Sequence, residues 1–111
     1  LAGAVDSVTQ KAREGRLQLE DVQGGTFTVN NTGALGSMVS RPLVNYPQAA
    51  ILATESIVKR PVVVDDAIVI RSMMNLGLTF DHRILDGSEA SAFINSVKQR
   101  LEAVGPDTPV G

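Results

Sequence analysis

At 111 residues the chain is long enough for one small domain with a core and too short for two ordinary ones. Ten basic against twelve acidic residues give a formal charge of −2, with no basic cluster or aromatic-rich stripe of the kind that tracks a phosphate backbone, which argues against nucleic acid as a partner. The absence of cysteine excludes disulfides, zinc-finger sites and a cysteine nucleophile within this segment, and no apolar run approaches bilayer-spanning length, so no membrane partner is expected.

Leu1, Val5, Val8 and Ala12 recur on one helical face, and Gly15 stands where a C-terminal cap belongs, which predicts a helix over residues 1–14. Because Leu1 already lies inside that pattern, the chain reads as a piece of something longer. Gly24-Gly25 precedes the β-prone run Thr26-Phe27-Thr28-Val29-Asn30, a short strand that stops in the turn Asn31-Thr32-Gly33. From Gly33 to Pro47, Gly36 and Pro42 interrupt a stretch with little periodicity, the pattern of an ordered loop that can line a site.

Ala49 to Ala53 and Ser56 to Val64 are apolar, β-branched segments, the second interrupted by Pro61. Asp65-Asp66 offers a turn before Ala67 to Arg71, which predicts a hairpin across residues 62–71. Met73 to Phe80 reads as a long apolar strand needing cover on both faces, and it delivers the chain to His82. Beyond Gly87, the residues Phe93, Ile94, Val97 and Leu101 share a helical face, Asp86 and Glu89 have capping-box spacing, and Gly105, Pro106 and Pro109 end the helix. Helix, strands and helix together indicate an α/β layer structure.

His82 is the only histidine, and it lies at a strand-to-helix junction, where a rigid sheet can fix a side chain that still reaches a cleft. With an ordinary pKa of about 6.5, an imidazole can be neutral near neutral pH and still accept a proton, so His82 is the candidate general base. A lone histidine in a small domain is also commonly structural. Asp86 reads first as a helix cap, with a supporting role at the site. Asp81 and Arg83 flank the histidine as charges that pair with each other or with neighbours, and Gly87 permits a tight entry into the helix.

Two blocks, Gly24-Gly25-Thr26-Phe27-Thr28-Val29-Asn30-Asn31-Thr32-Gly33 and Phe80-Asp81-His82-Arg83-Ile84-Leu85-Asp86-Gly87, are joined by Asn45, Pro47 and Ala49-Ala50-Ile51-Leu52. Over nearly its whole length the chain thereby resembles the catalytic domain of the dihydrolipoamide acyltransferases, the E2 components of 2-oxoacid dehydrogenase complexes. Asn30-Asn31-Thr32-Gly33 and Ile57-Val58-Lys59-Arg60-Pro61-Val62 are most similar to the branched-chain type.

The resemblance implies a two-layer α/β sandwich like that of chloramphenicol acetyltransferase, a mixed sheet with helices on one side. Residues 1–111 would be the C-terminal part of such a domain, and therefore an incomplete one. It also implies homotrimers that build a larger hollow core, with each active site at a subunit interface, His82 coming from one subunit and Asn30 from its neighbour. Coenzyme A would be a substrate, the lipoyl group would ride on a separate domain, E1 and E3 would bind through further domains, and no metal or covalent acyl-enzyme would be needed. The family's compartments are the bacterial cytoplasm or the mitochondrial matrix.

Within that reading His82 is the general base and a donor must face the tetrahedral oxyanion. The family often has a serine or threonine hydroxyl at the position of Asn30. The Asn30 amide can donate in its place, and it can equally close the strand through an Asx-type turn, which leaves Asn31 and Thr32 as alternative donors. Asp86 would meet a basic partner from the other half of the domain. Two further readings stand beside this one: an acyltransferase of the same fold with another acceptor, such as an antibiotic hydroxyl, and a noncatalytic core or scaffold segment.

Overall fold

The computed structural model describes residues 1–109. The helical spacing at the start of the chain becomes α1 (Ala2–Arg13). Gly15 takes φ +67°, and the Gly15 and Arg16 amides donate to the Ala12 and Lys11 carbonyls at 3.2 and 2.8 Å, the paired bonds of a Schellman close. Although Leu1, Val5 and Val8 share a face as expected, all three are exposed and α1 buries no residue. A second, four-residue helix, α2 (Leu19–Val22), was not legible in the spacing. It is set by a capping box between Gln18 and Asp21, and Lys11 Nζ reaches Asp21 at 3.0 Å to tie the two helices together.

The strands that matter for the site form a three-stranded mixed sheet. In it, β1 (Phe27–Asn31) runs parallel to β2 (Ala50–Thr54), and β2 pairs antiparallel with β5 (Leu76–Phe80). A parallel β1-β2 pair demands a crossover, and the long segment from Thr32 to Ala49 supplies it as the expected ordered loop, opened by a 3-10 turn at Gly33–Leu35. The central strand is the core: Ala50, Ile51, Leu52 and Ala53 are all buried, as a strand flanked on both edges should be.

Between β2 and β5 the chain makes a separate two-stranded hairpin, β3 (Val58–Val64) and β4 (Ala67–Met73), in register from Val58↔Met73 to Val64↔Ala67. It is longer than residues 62–71. Its turn is Asp65-Asp66, both in the left-handed region at φ +51° and +62°, the geometry of a two-residue primed turn. Pro61 is accommodated because this ladder has only two strands.

The expected long strand from Met73 to Phe80 is divided. β4 ends at Met73 and β5 begins at Leu76, and Asn75 makes the break. The Asn75 carbonyl accepts from the Glu55 amide at 3.2 Å, and its side-chain Nδ2 donates to the Met38 carbonyl at 2.9 Å, turning the chain from the hairpin into the sheet. After β5 the chain forms α3 (Gly87–Glu102), which packs on one face of the sheet. Ala90 is buried there, and Phe93 meets Phe27 of β1 with ring centroids 5.6 Å apart. The mixed sheet with helical cover agrees with the expected α/β class. The radius of gyration is 16.8 Å, well above the ~13 Å of a compact chain of this length, because α1 and the hairpin extend from the small core.

Candidate active site

The corner that carries His82 is fixed on both sides of the residue. The Asp81 amide donates to the Ala49 carbonyl at 2.9 Å, which extends the β2-β5 ladder by one step, and the Asp81 carbonyl accepts from the Ile84 and Leu85 amides at 3.0 and 3.1 Å. Asp81 and Arg83 pair with each other across the histidine. Asp81 Oδ1 accepts from the Arg83 amide and Nε, both at 3.0 Å, and Oδ2 accepts from Nη2 at 2.8 Å. The Arg83 side chain and then its backbone amide hold the Asp81 carboxyl down at about 2. His82 itself is exposed, and its ring leans on Phe80 at a centroid distance of 5.3 Å. The result is an imidazole on a rigid backbone with its face open to solvent.

Asp86 is the N-cap of α3. Its Oδ1 accepts from the Ser88 amide at 3.1 Å, the Glu89 amide at 3.3 Å and Ser88 Oγ at 2.5 Å, and Glu89 Oε2 accepts in return from the Asp86 amide at 3.1 Å. The cap reading therefore holds. The Ser88 hydroxyl, then the Glu89 amide, hold the Asp86 carboxyl below its ordinary value, with the charge of His82 contributing last.

Asn30 lies elsewhere. Register rows run Phe27↔Ala50↔Phe80 at one end of the sheet and Asn30↔Ala53↔Gly77 towards the other. Asn30 sits three residues along β1 from the Phe80 row, about 10 Å at ~3.3 Å per residue, and His82 lies past that row on the far side. A single copy of the chain does not bring them together. The strand alternation also separates Asn30 from Asn31: Asn30 shares its face with Thr28, whereas Asn31 lines a cleft of about 230 Å³ with Gly33, Thr54, Ile57 and Met74.

The other two candidate donors are engaged locally. Asn31 Oδ1 accepts from the Ala34 amide at 3.3 Å in an Asx-type turn, and Thr32 Oγ1 donates to Glu55 Oε2 at 2.7 Å. Glu55 was not anticipated. It directly follows β2, is only 4 % exposed, and receives Ser40 Oγ on Oε1 at 2.5 Å. These two hydroxyls, Ser40 first, hold its carboxyl below the ordinary glutamate value. The Ser56 amide donates to the Ser37 carbonyl at 2.8 Å and Ser56 Oγ to the Gly33 carbonyl at 2.9 Å, closing the same knot. A Cβ on Gly33 would stand 2.3 Å from the Glu55 carbonyl carbon. The one sequence signal was a lone acid ending an otherwise apolar buried strand. Among the described residues no three of His, Cys, Asp and Glu converge as metal ligands, and no helix is long and apolar enough to cross a membrane.

The sequence pattern of the family described as 2-oxoacid dehydrogenases acyltransferase (catalytic domain) matches residues 1–107. The chain is 51% identical over 111 residues to the lipoamide acyltransferase component of the branched-chain alpha-keto acid dehydrogenase complex of Bacillus subtilis, covering 99% of this chain and 26% of that protein. Further relatives include succinyltransferase components of 2-oxoglutarate dehydrogenase complexes. Among solved structures, a probable dihydrolipoamide acetyltransferase of Listeria monocytogenes superposes with a TM-score of 0.90 at 49% identity, over 96% of this chain and 45% of that one. The dihydrolipoamide acetyltransferase (E2p) of Azotobacter vinelandii, whose catalytic mechanism has been investigated at a serine, a histidine and an asparagine, superposes with a TM-score of 0.86 at 32% identity, over 92% and 42% of the two chains. The present chain thus spans about a quarter of the matched branched-chain relative and under half of the solved chains.

Proposed function

Because the chain belongs to the family of 2-oxoacid dehydrogenase acyltransferase catalytic domains, we propose that it carries the residues for transfer of an acyl group between dihydrolipoamide and coenzyme A. The observation that carries the site assignment is a match of separations on a matching fold. In the Azotobacter enzyme the histidine follows the serine by 52 residues and precedes the asparagine by 4, the separations of Asn30, His82 and Asp86 in this chain. The chain is read as the C-terminal part of such a domain, and the acyl group as a branched-chain one on the strength of the Bacillus relative.

A coenzyme A thiol resembles a cysteine, with a pKa near 8.5, so only a few per cent is thiolate at neutral pH. His82 takes that proton as the sulfur attacks the thioester carbonyl carbon of acyl-dihydrolipoamide, a service typically contributing about 10² to 10⁴ in rate. The carbonyl oxygen becomes an oxyanion facing the Asn30 amide N–H. As the tetrahedral centre collapses, the bond to the dihydrolipoamide sulfur breaks, and the leaving thiolate receives the proton from His82. Asn30 is the donor of choice because the Thr32 hydroxyl is already given to Glu55 and Asn31 turns to the opposite face of β1. Asp86 supports the site by anchoring the corner between His82 and α3.

The opposite placement of Asn30 and His82 on one sheet favours a site completed by a second copy, His82 from one and Asn30 from its neighbour. A closed ring of copies uses such a heterologous contact, and a trimer is the simplest that the family resemblance implies. Assembly into a larger core, and service to E1 and E3 partners through lipoyl and binding domains, extend the same reading, as does a bacterial cytoplasmic or mitochondrial matrix location.

The test is transfer from short branched, straight and dicarboxylic acyl-coenzyme A donors to dihydrolipoamide by the complete protein, with and without His82→Ala. Transfer that falls at least about 100-fold in the variant, with assembly intact, supports the reading. Undiminished transfer in the variant removes His82 from the chemistry, and no transfer by the unsubstituted protein favours a scaffold or another acceptor.

A further inference from the structure

Glu55 is a carboxylate withdrawn from water with no cation against it among the described residues, held instead by hydroxyls. Thr32 Oγ1 donates to Oε2 at 2.7 Å and Ser40 Oγ to Oε1 at 2.5 Å. Desolvating a charge is costly unless hydrogen bonds compensate it, so a site that keeps one this way needs a reason beyond packing. Its position supplies one. The last rungs of the β1-β2 ladder are Asn30↔Ala53 and Asn31↔Thr54, and the next step is made by the Thr32 amide donating to the Thr54 carbonyl at 3.1 Å. One bond later the Glu55 carboxylate takes the Thr32 side chain, while the Glu55 amide is held by the Asn75 carbonyl at 3.2 Å, at the entrance to β5. Gly33 is pressed against the Glu55 backbone so closely that only a glycine fits.

We propose that Glu55 is a positioning residue for Asn30: by clamping Thr32 and Ser40 it fixes the C-terminal end of β1, and with it the direction in which the Asn30 amide presents its N–H to the reacting carbonyl. This rests on the acyl-transfer reading of Asn30. Among the described residues β1 is paired on one side only, to β2, so the direction of the Asn30 side chain depends on how the end of that strand is held. The clamp pins β1 two residues beyond the donor, from the buried central strand, and joins β1, β2, the crossover loop and the start of β5 at one point. Misplacement of an oriented group by an ångström can lose up to about 100-fold in rate without loss of substrate binding.

The complete protein carrying Glu55→Ala is expected to lose about tenfold or more in kcat, with KM for coenzyme A nearly unchanged and assembly intact. Glu55→Gln, whose amide oxygen can still accept from Thr32 and whose nitrogen can donate to Ser40, should restore most of that loss. In an Asn30→Ala background Glu55→Ala should cost less than about twofold, because a residue acting through Asn30 has nothing left to position. Should Glu55→Ala fail to assemble, Thr32→Val breaks the same contact from the other side and is put through the same cycle. An equal loss in both backgrounds, no loss in either, or a Gln variant as impaired as the Ala variant would overturn the inference. Absence of lipoamide-dependent transfer by the unsubstituted protein is a different failure, of the acyl-transfer reading itself, and the inference falls with it.

Discussion

At the scale of single residues the proposed site divides labour between groups that would meet substrate and groups that hold them. On the acyl-transfer proposal Asn30→Ala removes a donor aimed at developing charge, so kcat should fall by about 10² to 10³ with little change in KM for coenzyme A. Steady-state kinetics separate this from a binding role, in which KM would rise at constant kcat. Asp81 belongs to the second group. Its carboxyl is depressed to about 2 in the folded chain by Arg83, against an ordinary value of 3.8. A depressed acid contributes stability that is fully present above its unfolded value and is lost as the pH falls through the folded one. The Asp81-Arg83 pair should therefore stabilise the His82 corner above about pH 4 and lose that effect between about pH 4 and 2. Unfolding curves of the unsubstituted protein and Asp81→Asn should differ at neutral pH and converge as pH approaches 2. A constant difference across that window would show that the pair is not what separates them.

At the scale of elements, α3 and the turn after β1 hold the two ends of the site. Asp86→Ala removes the acceptor for the Ser88 and Glu89 amides and should lower the thermal midpoint, while Asp86→Asn, an equally good N-cap, should preserve most of it. If both variants fall together, the carboxylate charge matters beyond the cap. Gly33→Ala forces a methyl into the Glu55-Ser56 backbone and should destabilise by about 1 to 3 kcal/mol or more, as overpacking does, measurable by denaturant unfolding of the complete domain. These two ends also show what the sequence can and cannot reveal. The cap of α3 and the close of α1 were legible because their partners lie within five residues. The Asp65-Asp66 turn was legible for the same reason. The clamp at Glu55 was not, because Thr32 and Ser40 are 23 and 15 residues away, and only the fold makes them neighbours. The break at Asn75 has the same cause, since its side chain answers to Met38, 37 residues back. The four residues of α2 are too few to show a period at all.

At the scale of the whole molecule, the chain buries a single central strand and leaves large apolar side chains on α1 and the hairpin open, with Ile68 80 % and Ile70 68 % exposed. The proposed pairing of His82 with Asn30 calls for a second copy, because the sheet that fixes His82 at one end carries Asn30 at the other. The most direct measurement is therefore hybrid assembly: His82→Ala and Asn30→Ala forms of the complete protein are assayed for acyl transfer to dihydrolipoamide separately and after co-assembly. Sites shared between copies predict two impaired parents and a mixture whose activity rises well above their sum, since some interfaces then pair an intact His82 with an intact Asn30. A mixture no more active than its parents would contradict a catalytic site built from His82 of one copy and Asn30 of the next.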